Sequence, residues 1–196
     1  MATDPYVYPG TSCFRNRLGI RDADALARFE ANQTAITLAQ LEREWFAGRY
    51  DLAHLKTFHR RIFGDIYTWA GELRSVPITK EQSLFALPEH IESYLRRVFS
   101  ALAEERFLRE LAQEEFLDRL THYYAELNAV HPFREGNGRT QRAFLGQLVH
   151  DTGYHIAWER LDGQRNTAAS SASLQGDNGL LRQMLDELVD PFDSAP

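Results

Sequence analysis

The 196-residue sequence predicts an all-α protein with one strand-like stretch. Three observations carry that prediction. Apolar residues recur at helical spacing along most of the chain. Aspartate, proline and glycine stand where helices start and stop. Only residues 71–88 break the pattern. Length and a hydrophobic content of 43% fit a single domain over 1–196 with a sizeable core.

Residues 1–20 carry Pro5, Pro9, Gly10 and Gly19 and read as an irregular arm. Asp22 or Asp24 caps a first helix, which reaches about residue 47 and ends at Gly48. Asp51 caps a second. Leu52, Leu55, Phe58 and Ile62 keep its period, and Gly64 closes it. His54 and His59 lie on this helix without partners at metal spacing, so they read as surface or hydrogen-bonded histidines.

Within 71–88, Val76, Ile78, Leu84 and Phe85 flank a polar centre, Thr79-Lys80-Glu81-Gln82-Ser83. The stretch reads as a β-hairpin, and a surface loop fits its periodicity equally well. Pro88 suits the first position of a helix running to about residue 105. Glu114 or Glu115 opens the next, striped by Phe116, Leu120, Tyr124 and Leu127. A further helix spans 139 to about 152, followed by an extended run at 154–158. Two last helices fit 162–174 and 178–189, parted by Gly176-Asp177. The first carries small residues, Ala168 to Ala172, that permit close approach of another group.

The net charge of −6 argues against nucleic acid or an anionic membrane as the main partner. The single cysteine, Cys13, excludes an internal disulfide and fits a reducing cytoplasm. Residues 1–10 lack the apolar core of a signal peptide, and no stretch approaches the roughly 20 apolar residues of a membrane helix. The expected location is the cytoplasm.

The chemistry concentrates at 131–142, His-Pro-Phe-Arg-Glu-Gly-Asn-Gly-Arg-Thr-Gln-Arg. Pro132 turns His131 out of the preceding helix. Gly136, Asn137 and Gly138 can point backbone N–H groups into one anion-binding concavity, and a helix N-terminus follows at the same spot. Arg139 and Arg142 share a face in the first turns of that helix, where the dipole disfavours cations. Glu135 is an anion beside an anion site. Both placements make sense if the site holds a polyphosphate and a divalent cation. The arginines then pair with phosphate, and Glu135 holds magnesium. His131 is suited to accept a proton. A plain helix–loop–helix joint with two surface arginines is the competing reading.

This string resembles the signature of the Fic (filamentation induced by cyclic AMP) family, HPFx(D/E)GNGRxxR, at every fixed position. Asp4-Pro5-Tyr6, Tyr8-Pro9-Gly10-Thr11 and Asn16-Arg17-Leu18-Gly19-Ile20 are similar to the opening of short bacterial Fic toxins. Residues 59–71 are similar to the segment ahead of the family's flap. The resemblance implies an all-α Fic-type domain, with a hairpin flap at 72–88 over the active site, that transfers AMP from ATP to a Tyr, Ser or Thr hydroxyl of a protein.

In that scheme His131 is the base. Asn137 with the N–H groups of Gly136 and Gly138 holds the α-phosphate. Glu135 carries Mg2+, Arg139 meets the β-phosphate and Arg142 the γ-phosphate. Lys80 and Glu81 become candidates for nucleotide or target contacts, with a solvated hairpin tip as the alternative. Asn166 becomes a candidate for the adenine pocket, with close helix packing as the alternative.

A Doc-type kinase of this family carries lysine where Gly138 stands, so nucleotidyl transfer is favoured over phosphoryl transfer. UMP or phosphocholine transfer and a non-catalytic nucleotide-binding module remain alternatives. The family's inhibitory pattern, [S/T]xxxE[G/N], is absent. Ser100 to Glu104 is followed by Glu105, and Thr68 to Glu72 by Leu73. The expected partner is therefore a separate small antitoxin that supplies a glutamate to Arg142. The resemblance suggests the B subunits of DNA gyrase and topoisomerase IV as targets, with no direct contact to nucleic acid or membrane.

Overall fold

The Asp22 carboxylate accepts a hydrogen bond from the Ala25 N–H (2.7 Å) and opens helix α1, Ala23–Arg43. Asp51 does the same for α2, Leu52–Phe63, through the His54 N–H (2.8 Å). The computed structural model describes residues 4–80 and 83–192. Next come strands β1, Thr79–Lys80, and β2, Ser83–Leu84, and then α3, Pro88–Glu104, with proline in its first turn. Helices α4, Gln113–Val130, and α5, Asn137–His150, follow. Strand β3, Tyr154–Ile156, leads to α6, Gly163–Leu174, α7, Gly179–Leu188, and strand β4, Val189–Pro191. Among the described residues no helix is long and apolar enough to cross a membrane.

Helix α5 is the centre of the assembly and packs against α1, α2 and α4. Every residue from Ala143 to Val149 is buried, so this helix has no solvent face over that span. Gly146 lets Trp158 approach: a Cβ there would meet its Nε1 at 3.2 Å. Helix α4 runs alongside and buries Phe116, Leu117, Leu120 and Leu127. Helices α6 and α7 pack together and against α4. The ends of α4 and the start of α5 therefore meet at one place, joined by residues 131–136.

One boundary differs clearly from the sequence expectation. Helix α1 stops at Arg43 rather than near residue 47, and Gly48 is not its terminator. Gly48 lies on the His54 ring, where any Cβ would come within 2.3 Å. Gln147 Nε2 also holds the Phe46 carbonyl (2.8 Å), so tertiary contacts draw this segment away from the helix axis.

The hairpin is not the only strand pair. β3 and β4 are antiparallel, with Tyr154 opposite Pro191 and Ile156 opposite Val189. In the hairpin itself the register is Thr79 to Leu84 and Lys80 to Ser83. Its strands are shorter than the apolar residues Val76 and Ile78 suggest.

Candidate active site

His131 caps α4 in the left-handed conformation (φ 49°, ψ 64°), its N–H still bonded to the Leu127 carbonyl (3.1 Å). Pro132 forbids another helical turn. The imidazole lies flat on Phe85, the residue after β2, with ring centroids 4.0 Å apart. Its Nδ1 is 3.4 Å from the Asn128 carbonyl. A proton on Nδ1 suits that acceptor and makes Nε2 the basic nitrogen.

Gly136 precedes α5 with φ 77°, and a Cβ there would come within 2.2 Å of the Phe63 ring. Only glycine satisfies both the angle and the approach. No side chain caps α5. Among the described residues nothing accepts from the N–H groups of Asn137, Gly138 and Arg139, the expected condition of an uncapped helix start. The Gly136 N–H is turned back to the Glu135 carboxylate (2.8 Å).

The other motif side chains divide in an unexpected way. Asn137 is buried, and its amide is spent on the loop. Oδ1 accepts from the Phe133 N–H and Nδ2 donates to the Phe133 carbonyl, both at 2.8 Å. It therefore staples the turn while still bordering the cavity.

Arg139 is likewise engaged and does not line the cavity. It donates to Glu30 (2.6 Å) and Thr34 (3.1 Å) of α1 and to Glu135 (3.3 Å), and it lies over the Phe63 ring. Two carboxylates, Glu30 and Glu135, offset its placement near the helix start. Arg142 has no carboxylate partner among the described residues. It sits beside Gly138, where a Cβ would meet its Nη1 at 3.3 Å.

The motif loop borders a cavity of about 410 Å³, within the range of small-molecule sites, and neither Arg139 nor Arg142 lines it. His131, Glu135 and the Gly136–Gly138 turn lie along it, and Ile78 and Thr79 border it from the hairpin. The far wall is α6, where Asn166 and Ser170 face Tyr124 and Asn128 of α4. The Tyr124 hydroxyl donates to Asn166 Oδ1 (2.9 Å), and burial pushes its pKa up. Asn128 Nδ2 donates to the Ser170 carbonyl (3.1 Å). The small residues of α6 thus border an open space as well as a packing face. Of the hairpin candidates, Glu81 and the side chain of Lys80 lie outside the described residues.

His59 and His54 are hydrogen-bonded and buried, not at the surface. His59 stacks on Phe133 at 3.9 Å. Its Nδ1 accepts from the Gly71 N–H (2.8 Å), which leaves Nε2–H to donate to the Glu135 carbonyl (3.0 Å). Burial, joined by the charges of Arg139 and Arg60, lowers its pKa to about 4. Neutral His59 is therefore a strut under the loop. Sequence reasoning also missed Arg74 and Glu30, both buried and charged, because nothing in their own neighbourhoods marks them as interior.

The two inhibitory-pattern glutamates are elsewhere. Ser100 and Glu104 bond to each other on α3 (3.5 Å), and Glu72 pairs with Lys56 (3.1 Å) and Arg60 (3.6 Å).

The helical scaffold thus sets an uncapped helix start, a carboxylate and a histidine around one cavity. The Fic/DOC family model matches residues 49–149, and the chain belongs to that family. It is 44% identical over 184 residues to the protein adenylyltransferase VbhT of Bartonella schoenbuchensis, covering 94% of this chain and 38% of that protein. It is 38% identical to a protein of Salmonella typhimurium described as a probable protein adenylyltransferase Fic, covering 95% of this chain and 92% of that one. The N-terminal Fic domain of a Bep effector from Bartonella quintana, solved with ADP, superposes with a TM-score of 0.88 at 28% identity, covering 95% of this chain and 94% of that one. BepC of Bartonella tribocorum, solved with AMPPNP, has the same TM-score at 24% identity and 95% and 96% coverage, a likeness of fold.

Proposed function

We propose that this protein is a protein adenylyltransferase that moves AMP from ATP to a hydroxyl side chain of a target protein. The observation that carries the reading is the junction of α4 and α5. There His131 borders one cavity together with Asn137 and Gly138, whose N–H groups are open. The relatives named as adenylyltransferases and the nucleotide-bound neighbours support it.

In this reading His131 Nε2 takes the proton of the target hydroxyl as its oxygen attacks the α-phosphorus. The helix start receives the negative charge that builds on the α-phosphate oxygens. Arg142, which lies beside Gly138, would reach the triphosphate tail, and pyrophosphate leaves. The base lies towards Asn166 and α6. Arg139 acts through Glu135, which it holds beside the cavity. Among the described residues no cluster of three metal-ligating side chains exists. A single carboxylate suits magnesium, which takes the rest of its shell from water and phosphate. Glu135 would hold it, and when bound it neutralises phosphate charge.

Silencing in trans is the reading that the missing [S/T]xxxE[G/N] pattern supports, with Arg142 as the contact; Arg142 has no carboxylate partner among the described residues. A small antitoxin would bring the missing glutamate, making this chain the toxin of a cytoplasmic pair. The B subunits of DNA gyrase and topoisomerase IV are the first targets to test.

His131→Ala tests the reading. Transfer should fall by about 100- to 10,000-fold while ATP still binds. Transfer that survives the substitution removes His131 as the base.

A further inference from the structure

Arg74 stands at the start of the hairpin segment and is 2% exposed. All of its described hydrogen-bond partners are backbone carbonyls. Nε donates to His131 (2.8 Å), Nη1 to Val76 (2.9 Å), and Nη2 to Ala86 and to Val130 (3.2 Å). No carboxylate pairs with it among the described residues. Burying a cation without a counter-ion is unfavourable, and an apolar side chain would usually pack there at less cost.

The identity of the acceptors accounts for the exception. The Val130 and His131 carbonyls are at the C-terminal end of α4, where carbonyls are left unpaired and the dipole is negative. Val76 precedes β1 and Ala86 follows β2, so they are the two feet of the hairpin. A rigid planar fork can hold carbonyls arriving from several directions, which an ammonium point charge cannot do in the same way. The surrounding backbone repeats the connection: Arg74 N–H donates to the Pro132 carbonyl (2.9 Å) and Ala86 N–H to the Ala129 carbonyl (3.3 Å). Phe85, one residue before Ala86, carries the His131 ring.

We propose that Arg74 is a positioning residue that clasps both feet of the hairpin to the end of α4, so that His131 and the strand edge beside it keep one geometry. The inference rests on the transfer reading above. It assigns Arg74 to the alignment of base and acceptor hydroxyl, not to ATP binding, since Arg74 does not line the cavity.

The test uses the full chain, α-labelled ATP, magnesium and bacterial lysate as the source of acceptor. Arg74→Lys keeps the charge and loses the fork. Arg74→Ala leaves a slot that added guanidinium ion can enter. At saturating ATP, transfer by Arg74→Lys should fall about 100-fold, the scale of a misplacement near 1 Å, with ATP affinity within about twofold of the parent. Guanidinium at tens of millimolar should restore part of the activity of Arg74→Ala, and ammonium should not.

Amide hydrogen exchange supplies an arm that needs no transfer. Thr79, Lys80 and Leu84 should exchange about tenfold faster in Arg74→Lys while the α5 core is unchanged. Transfer by Arg74→Lys within about threefold of the parent would overturn the proposal. So would faster exchange spread evenly over α2, α4 and α5 in both variants, which would make Arg74 a general stability residue. If the parent itself transfers no label, the transfer reading fails, and the exchange pattern alone still decides whether Arg74 clasps the hairpin.

Discussion

Asn137→Ala separates two roles that one side chain could play. The amide makes two bonds at 2.8 Å to the backbone of Phe133, and both residues are buried. Alanine leaves the Phe133 N–H and carbonyl without partners. Each buried polar group left unpaired costs about 1–3 kcal/mol. The loop borders the cavity and water can reach part of it, so the lower half of the summed range applies, about 2–4 kcal/mol. For a chain of this size each kcal/mol moves the midpoint by about 2–4 °C, so Tm should fall by about 5–15 °C. Asn137→Asp keeps the acceptor for the N–H and turns an oxygen toward the carbonyl, so it should be destabilised as well. Differential scanning calorimetry measures both, with ATP titration and label transfer alongside. If Asn137→Ala melts with its parent and only ATP binding or transfer is lost, the amide serves the nucleotide and its role as a staple is refuted.

Four further outcomes follow from the same geometry. Gly138→Lys places a side chain whose Cβ is 3.3 Å from Arg142 Nη1, so it should weaken ATP binding with little change in Tm; calorimetric titration checks this. Glu30→Gln removes the carboxylate shared by Arg139 and the Tyr67 hydroxyl, and should lower stability by about 1–3 kcal/mol in denaturant melts. The lowered pKa of His59 makes the folded state bind fewer protons than the unfolded state between pH 6.5 and about 4. Stability is therefore full above pH 6.5 and falls as pH drops through that window, by up to about 3 kcal/mol; melts against pH should be flatter in His59→Gln. A peptide carrying the [S/T]xxxE[G/N] helix should inhibit the parent and lose most of its effect on Arg142→Ala, as read by transfer at fixed ATP.

Local chemistry was legible in the sequence wherever a local cause sufficed. Asp22 and Asp51 cap helices because an aspartate side chain reaches an N–H three residues on. Pro88 opens α3, Pro132 ends α4, and the turn between α6 and α7 falls at Gly176-Asp177. The glycines of the motif announce the turn that uses them.

What escaped depends on partners far along the chain. Glu30 meets Arg139 across 109 positions, so the carboxylate that pairs with Arg139 from α1 could not be seen in the motif. The β3–β4 pair joins Tyr154–Ile156 to Val189–Pro191, and nothing in either short run specifies the other. Arg74 and His59 are polar residues in segments of mixed polarity, and only the folded chain shows that each is walled in. Helix α1 ends early because Gly48 and Phe46 are claimed by α2 and α5, a tertiary override of local preference.

Label transfer tests the central claim most directly. Purified protein, magnesium and bacterial lysate are incubated with ATP labelled at either the α- or the γ-phosphate, and proteins are resolved by mass. Label on protein from the α-position alone is the predicted result, and the labelled band begins to identify the target. Label from the γ-position alone would mean phosphoryl transfer and would contradict both the claim and the role assigned to Gly138.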